Sequence, residues 1–254
     1  PLPRILFVPL ILVVSCLCAG CYAGIAGFLS NRFGANMVIV TLMQNYVAQL
    51  FCSYLVNNVF VDDQGIARTA ALPQQARIGK LMEGHYLSAS ILIGVALVAV
   101  VWFLLNRTRL GYRLHFVGSN PACAETAGIN TKRMMLITLL ISGALAGFCG
   151  ATQVMGVQYR FTDGFSSGYG FEGIAVAALA GNNPVTVLLS AILWGGLKSG
   201  ASEVNRIASI PMDVISIIQA LIVVFMVAPK LMDALCTPVR KLVAGPQRTS
   251  ARTE

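Results

Sequence analysis

The chain has 254 residues, of which 56% are hydrophobic and only 11% charged, and its mean hydropathy is +0.74. Soluble domains carry about a quarter charged residues, so the apolar residues here belong to membrane-crossing runs and not to a core in water. The net charge of +8 reads as the positive-inside asymmetry of a membrane protein, since no basic patch with interleaved aromatics supports nucleic-acid binding.

The seven cysteines, at 16, 18, 21, 52, 123, 149 and 236, fall mostly inside apolar runs and repeat no paired spacing, so no disulfide framework is expected. No cleavable signal peptide is visible. The chain opens on PLPRILFVPL without an initiator Met, from which an N-terminal truncation is expected.

A helix needs about 20 apolar residues to cross the hydrocarbon core. Residues 5–29 qualify, with Pro9 as a kink near their start. Gly20, Gly24 and Gly27 line a face that lets another helix approach closely. The second span, 37–60, carries Thr41, Gln44, Asn45, Gln49, Ser53 and Asn57, five of them at i+4 steps. A polar stripe in hydrocarbon either bonds neighbouring helices or lines a wet path. Because the stripe is uncharged, the path reading favours sugars or nucleosides over ions.

The third span is 85–105 and the fourth 134–157, where Gly143, Gly147 and Gly150 give a second close-packing face. Residues 172–181 are apolar but about half a span long. Asn182-Asn183-Pro184 then breaks the run, and 185–197 resume it, which reads as a broken or re-entrant hairpin. The last span is 207–229, with Asp213 near one end, and a basic tail follows. The expected fold is all-α: a polytopic integral membrane helical bundle of about six apolar segments.

Residues 107–133, Arg32 and the tail from Lys230 together hold eleven basic and three acidic residues, while the remainder holds seven of each. The whole net charge therefore falls on one side, which places those segments and the C-terminus in the cytoplasm. Residues 120 and 74 should then lie at opposite ends of the spans.

Several motifs fail their chemistry. Gly168, Gly170 and Gly173 match GxGxxG, but a loop precedes them where a dinucleotide site needs a strand; tight loop geometry is the plainer reason for them. Cys16, Cys18 and Cys21 lie mid-span without a His or carboxylate nearby, and His85 and His115 are too far apart for a metal site or a triad. There is no GxxxxGK[ST], because Gly196-Leu197-Lys198-Ser199 lacks the spacing, so the chain is not expected to hydrolyse ATP by itself. No chain of intramembrane carboxylates favours a proton-coupled pump. Neither cofactor nor catalytic residue is expected.

TLMQNYVA (41–48), RTRLGYRLHFVGSNPACAETAGI (107–129) and GFSSGYGFEGIAVAALAGNNP (164–184) resemble the permease subunits of bacterial ABC importers. The nearest branch is the simple-sugar and nucleoside permeases related to the ribose and branched-chain amino acid permeases. The resemblance is nearly co-linear from about residue 20 to 229. It implies an inner-membrane, multi-pass translocation subunit working with a second permease, a separate ABC ATPase subunit and an extracytoplasmic substrate-binding protein, for a small polar solute. Residues 1–229 would be the permease domain, with a cytoplasmic coupling loop at 106–133, and 230–254 the basic tail.

The same resemblance assigns residues 120–129 to a coupling helix, with Asn120, Pro121, Ala124, Glu125, Ala127, Gly128 and Ile129 as its ATPase-coupling residues. Ser119 or Asn120 suits the cap, Pro121 the first turn, Glu125 the positive end and Gly128 the stop. Thr41, Gln44, Asn45, Gln49 and Phe171 become candidates for the translocation pathway, and residues 61–84 and 158–171 for docking the binding protein. Two positions depart from the family pattern. Met37 stands where Glu is usual, and Gln44 where Leu is common, so the choice of nucleoside or sugar stays open. A secondary transporter or channel is the competing reading, although the inverted repeats it would favour are not seen.

Overall fold

The computed structural model describes residues 4–60, 67–79, 88–166 and 168–208, with six further positions between 214 and 221. Most of the expected span 207–229, Asp213, the basic tail, His85 and much of 61–84 lie outside the described residues. The chain divides into two compact units, Pro1–Ser167 and Gly168–Glu254. Among the described residues five helices are long and apolar enough to cross a membrane.

The first unit is built on α1 (Arg4–Phe33) and α6 (Thr131–Gln153), which pack antiparallel. A Cβ at Gly20 would lie 3.2 Å from the Leu140 carbonyl oxygen, and one at Gly27 would lie 2.8 Å from Leu139. From the other side, a Cβ at Gly143 would meet Ala23 at 2.4 Å, and one at Gly147 would meet Ala19 at 2.5 Å. The two glycine faces expected separately are thus each other's partners. The Ser15 hydroxyl donates to the Gly147 carbonyl at 2.7 Å across the same seam. Lipid supplies no hydrophobic drive between helices, so this closeness is what holds them together. Gly150 is the exception, with nothing within 4 Å of its Cβ position.

Gly34, at φ +66°, and the Asn36 cap, which accepts from the Val38 N–H at 2.9 Å, turn the chain from α1 into α2 (Met37–Tyr54). Both α2 and α6 run on into single π turns, Leu55–Val59 and Val154–Gln158. The helix α3 (Ser90–Arg107) starts beside the second of these, where a Cβ on Gly156 would collide with Ser90. Beyond α3 a single residue, Thr108, turns the chain into α4 (Arg109–Ser119) by capping the Gly111 N–H at 3.2 Å. No side chain fits at Gly111, since its Cβ would lie 2.1 Å from the Leu105 carbonyl oxygen. The short α5 (Pro121–Thr126) links α4 to α6.

Up to residue 208, the second unit holds a helical hairpin of α7 (Tyr169–Leu179) and α8 (Pro184–Ala208). The break falls at the expected place. Gly181 and Asn182 adopt φ +60° and +59°, and the Asn183 side chain accepts from the Val185 N–H at 3.1 Å. Lys198 of α8 pairs with Glu172 of α7 at 2.7 Å, so α8 doubles back along α7. One boundary needs correcting. The second arm continues past Leu197 to Ala208, giving a 25-residue helix about 37 Å long where the resumed run was expected to end at 197. Lys198, just beyond that point, is neutralised by Glu172, and the helix carries on.

Candidate functional site

Three places bear on function. The first is the basic loop after α3. Its structure is more regular than its composition implies: α4, α5 and α6 follow one another with only one to four residues between them. Asn120 caps α5 by accepting from the Cys123 N–H at 3.1 Å, and Pro121 takes the first position, where a missing N–H costs nothing. Ser119 is not the cap, because its hydroxyl donates back to the His115 carbonyl at 2.9 Å. Gly128, at φ +78°, ends the helix as expected. The Ile129 N–H returns to the Ala124 carbonyl at 2.9 Å and that of Ala127 to Cys123 at 3.1 Å.

Glu125 is not at the positive end of α5, which lacks an acidic residue in its first turn. Its carboxylate instead accepts from the Thr131 hydroxyl at 2.6 Å, at the opening turn of α6, where the helix dipole also favours negative charge. Ala124 is fully buried, whereas Asn120, Pro121, Glu125, Ala127 and Gly128 are exposed and Ile129 is half-buried. Nearby, Asn31 at the end of α1 donates to the Lys132 carbonyl at 2.9 Å, which ties both long helices to this end of the unit.

The second place is the opposite end of the same helices. Residues 67–79 lie along residues 155–163, with the Thr69 N–H donating to Phe161, that of Leu72 to Tyr159 and that of Ile78 to Met155, at 2.8–2.9 Å. Leu12, Ile78 and Met155 bury a small core beneath them. Tyr159, at φ +56°, closes the π turn, and the Arg77 guanidinium lies 5.2 Å from the centre of its ring. Parts of both segments expected to dock a binding protein thus form one layer. Residue 74 lies in it, and residue 120 lies at the other end of the unit, separated by the 28-residue helical run Thr131–Gln158.

The third place is the polar face of α2, which the structure splits. At about 100° per residue, positions nine apart face opposite ways, so Gln44 and Ser53 diverge by about 180°. Gln44 faces α1: its amide donates to the Tyr22 carbonyl, and the Tyr22 hydroxyl donates to the Gln44 carbonyl at 2.8 Å. Thr41 bonds its own helix, to the carbonyls of Met37 and Val38 at 3.0 Å. Asn45 and Gln49 are exposed, and their side chains have no partner among the described residues. Ser53 and Asn57 meet Asp163, a residue not singled out from sequence, because a contact spanning 110 positions has no local signal. Phe171 is exposed on α7, within the second unit. The Lys198 ammonium there also sits 4.6 Å from the centre of the Tyr169 ring.

Among the described residues no cluster of three or more His, Cys, Asp or Glu is placed to hold a metal. Large apolar side chains stand exposed on all the long helices, Leu50 at 72% and Val100 at 63% among them. Such surfaces are covered by lipid or by other subunits, which fits a multi-pass membrane protein.

The chain is 34% identical to the guanosine ABC transporter permease protein NupP of Bacillus subtilis, over 88% of its own length and 65% of that protein's. It is 27% identical to the nucleoside ABC transporter permease protein NupB of Lactococcus lactis, over its full length and 72% of the relative. To the glucose ABC transporter permease protein TsgB13 of Haloferax volcanii it is 32% identical, over 89% and 62%. The chain thus spans about two thirds of the length of these relatives. No solved structure matches. The family model for the permease component of the branched-chain amino acid transport system matches residues 2–227, and the chain belongs to that family.

Proposed function

We propose that this chain is the membrane-spanning translocation subunit of an ABC importer for nucleosides or simple sugars, driven by a separate ATPase subunit. The observation that carries the proposal is the rigid exposed helix at the basic end of the spans. Capped by Asn120, stopped by Gly128 and bonded to α6 through Glu125 and Thr131, it is a handle that a partner can push without unwinding it. Pro121, Glu125, Ala127 and Gly128 supply the face toward the ATPase, while buried Ala124 seats the helix. The names of the relatives, which include guanosine, nucleoside and glucose permeases, support the solute class.

In this reading the layer formed by 67–79 and 155–163 faces outward and receives a substrate-binding protein, and a second permease subunit completes the pathway. Asn45 and Gln49, uncharged and without a partner among the described residues, offer a passing solute exchangeable hydrogen bonds. Weak, repeated sites suit passage, since a tight one would hold what it must release. The basic tail and residues 106–133 are cytoplasmic by charge. The test is uptake of labelled nucleosides and pentoses by proteoliposomes containing the full-length protein, its ATPase and its binding protein. ATP-dependent accumulation is expected. Accumulation without the ATPase would overturn the reading in favour of a secondary transporter or channel.

A further inference from the structure

The carboxylate of Asp163 stands where the polar face of α2 reaches the outer layer. Its Oδ2 accepts from the Ser53 hydroxyl at 2.7 Å and from the Asn57 amide at 3.4 Å. Asn57 is steadied in turn, donating to the Ser53 carbonyl at 2.8 Å and to its Oγ at 3.2 Å. The Asp163 N–H donates to the Ala67 carbonyl at 3.2 Å. Backbone and side chain are therefore both fixed, yet the residue is exposed. Its Oδ1 has no partner among the described residues, and no cation there pairs with it. Asn57 lies in the π turn, a widened helical turn that recurs at functional sites.

We propose that Asp163 recognises a vicinal diol on the transported solute. The inference rests on the translocation reading and deepens it by naming the feature recognised. Two adjacent hydroxyls can donate one to each carboxylate oxygen, the second replacing the long Asn57 bond and freeing that amide for the solute. Gln49 and Asn45, one and two turns further along α2, are the next hydrogen-bonding groups without a partner among the described residues. A basic group on a docked protein is the rival occupant. The observed bonds turn the carboxylate toward α2 and its polar face, which favours the solute.

The experiment compares a ribonucleoside with its 2′-deoxy counterpart, which lacks the diol, in proteoliposomes holding the complete transporter. Asp163→Asn should lower ribonucleoside uptake about tenfold or more and deoxynucleoside uptake by less than about twofold, collapsing the preference between them. Ser53→Ala, which loosens the carboxylate without removing it, should move the ratio the same way by less. Retention of the ATPase on purification checks that both variants assemble. An equal fall for both solutes, or no change in either, overturns the proposal; an equal fall with weaker capture of the binding protein gives Asp163 to docking. Wild-type vesicles that accumulate neither nucleosides nor pentoses would instead overturn the translocation reading itself.

Discussion

Replacing Gly143 by Ala puts a methyl group where there is no room for it. The new Cβ would lie 2.4 Å from that of Ala23 and 2.7 Å from the Ala19 carbonyl oxygen. Carbon atoms settle at about 3.5–4.0 Å, so α1 and α6 must part locally by roughly 1 Å. Neither obstacle is a flexible side-chain end, so no rotamer change relieves the clash. Overpacking of this kind costs about 1–3 kcal/mol. Parting the helices also stretches the Ser15–Gly147 hydrogen bond one turn away, of a type that contributes about 0.6 kcal/mol in a membrane protein. Set against this is the gain of about 0.5–1 kcal/mol for Ala over Gly in a helix. The net expectation is a loss of about 1–3 kcal/mol, with 1 kcal/mol corresponding to about 2–4 °C in a chain of this size. Gly150→Ala is the control. Its Cβ meets nothing within 4 Å, so only the helix gain remains. Thermal unfolding of the purified protein in detergent, followed by circular dichroism, should separate the two variants by several degrees. Equal shifts would refute the assignment of the seam.

Other substitutions probe the remaining sites. Gly128→Arg forces a side chain into φ +78°, and Asn120→Ala removes a cap of about 1 kcal/mol; each should reduce uptake and ATPase co-purification while membrane insertion is unchanged. Gln44→Leu should cost about 1 kcal/mol of stability, through the lost bond to Tyr22, and leave transport nearly intact; a large fall in uptake at normal stability would return Gln44 to the pathway. Lys198→Ala leaves Glu172 without its partner in an apolar helix pair. It should destabilise more than the double change Lys198→Met with Glu172→Leu, and a double-mutant cycle on melting temperature measures the difference.

What could be read from the sequence was what depends on near neighbours. The Asn120 cap, Pro121 at the first turn, Gly128 as the stop and the break at Asn182-Asn183-Pro184 each depend on a few consecutive residues, and each was legible. The two glycine faces were legible too, but not that they meet, nor that Gly150 falls outside the seam. The second arm was ended too early, at 197, and the ion pair of Lys198 just beyond it reaches back 26 positions to Glu172. Strict i+4 spacing looked like one face of α2, yet each step turns about 40°, enough over three turns to carry Ser53 well away from Thr41. Gln44 therefore belongs to α1 and Ser53 to Asp163, a division that needed the third dimension.

Stiffness connects the α5 end of the first unit to the layer formed by 67–79 and 155–163. At one end, α5 is bonded to the first turn of α6 through Glu125 and Thr131, and α1 is bonded to α6 through Asn31. At the other, Leu12 of α1 and Met155 beyond α6 share a core with Ile78 of the 67–79 segment. Between the ends the two helices touch with almost no side chain in between, so the seam has little slack to absorb a displacement. A push on α5 is therefore expected to move α1, α6 and the layer formed by 67–79 and 155–163 as one body. This mechanical hypothesis separates the same two variants on a second measure. Gly143→Ala, by opening the seam, should lower the uptake obtained per ATP hydrolysed, and Gly150→Ala should leave that ratio alone. If the seam served stability only, Gly143→Ala would melt earlier yet transport with undiminished efficiency below its melting temperature.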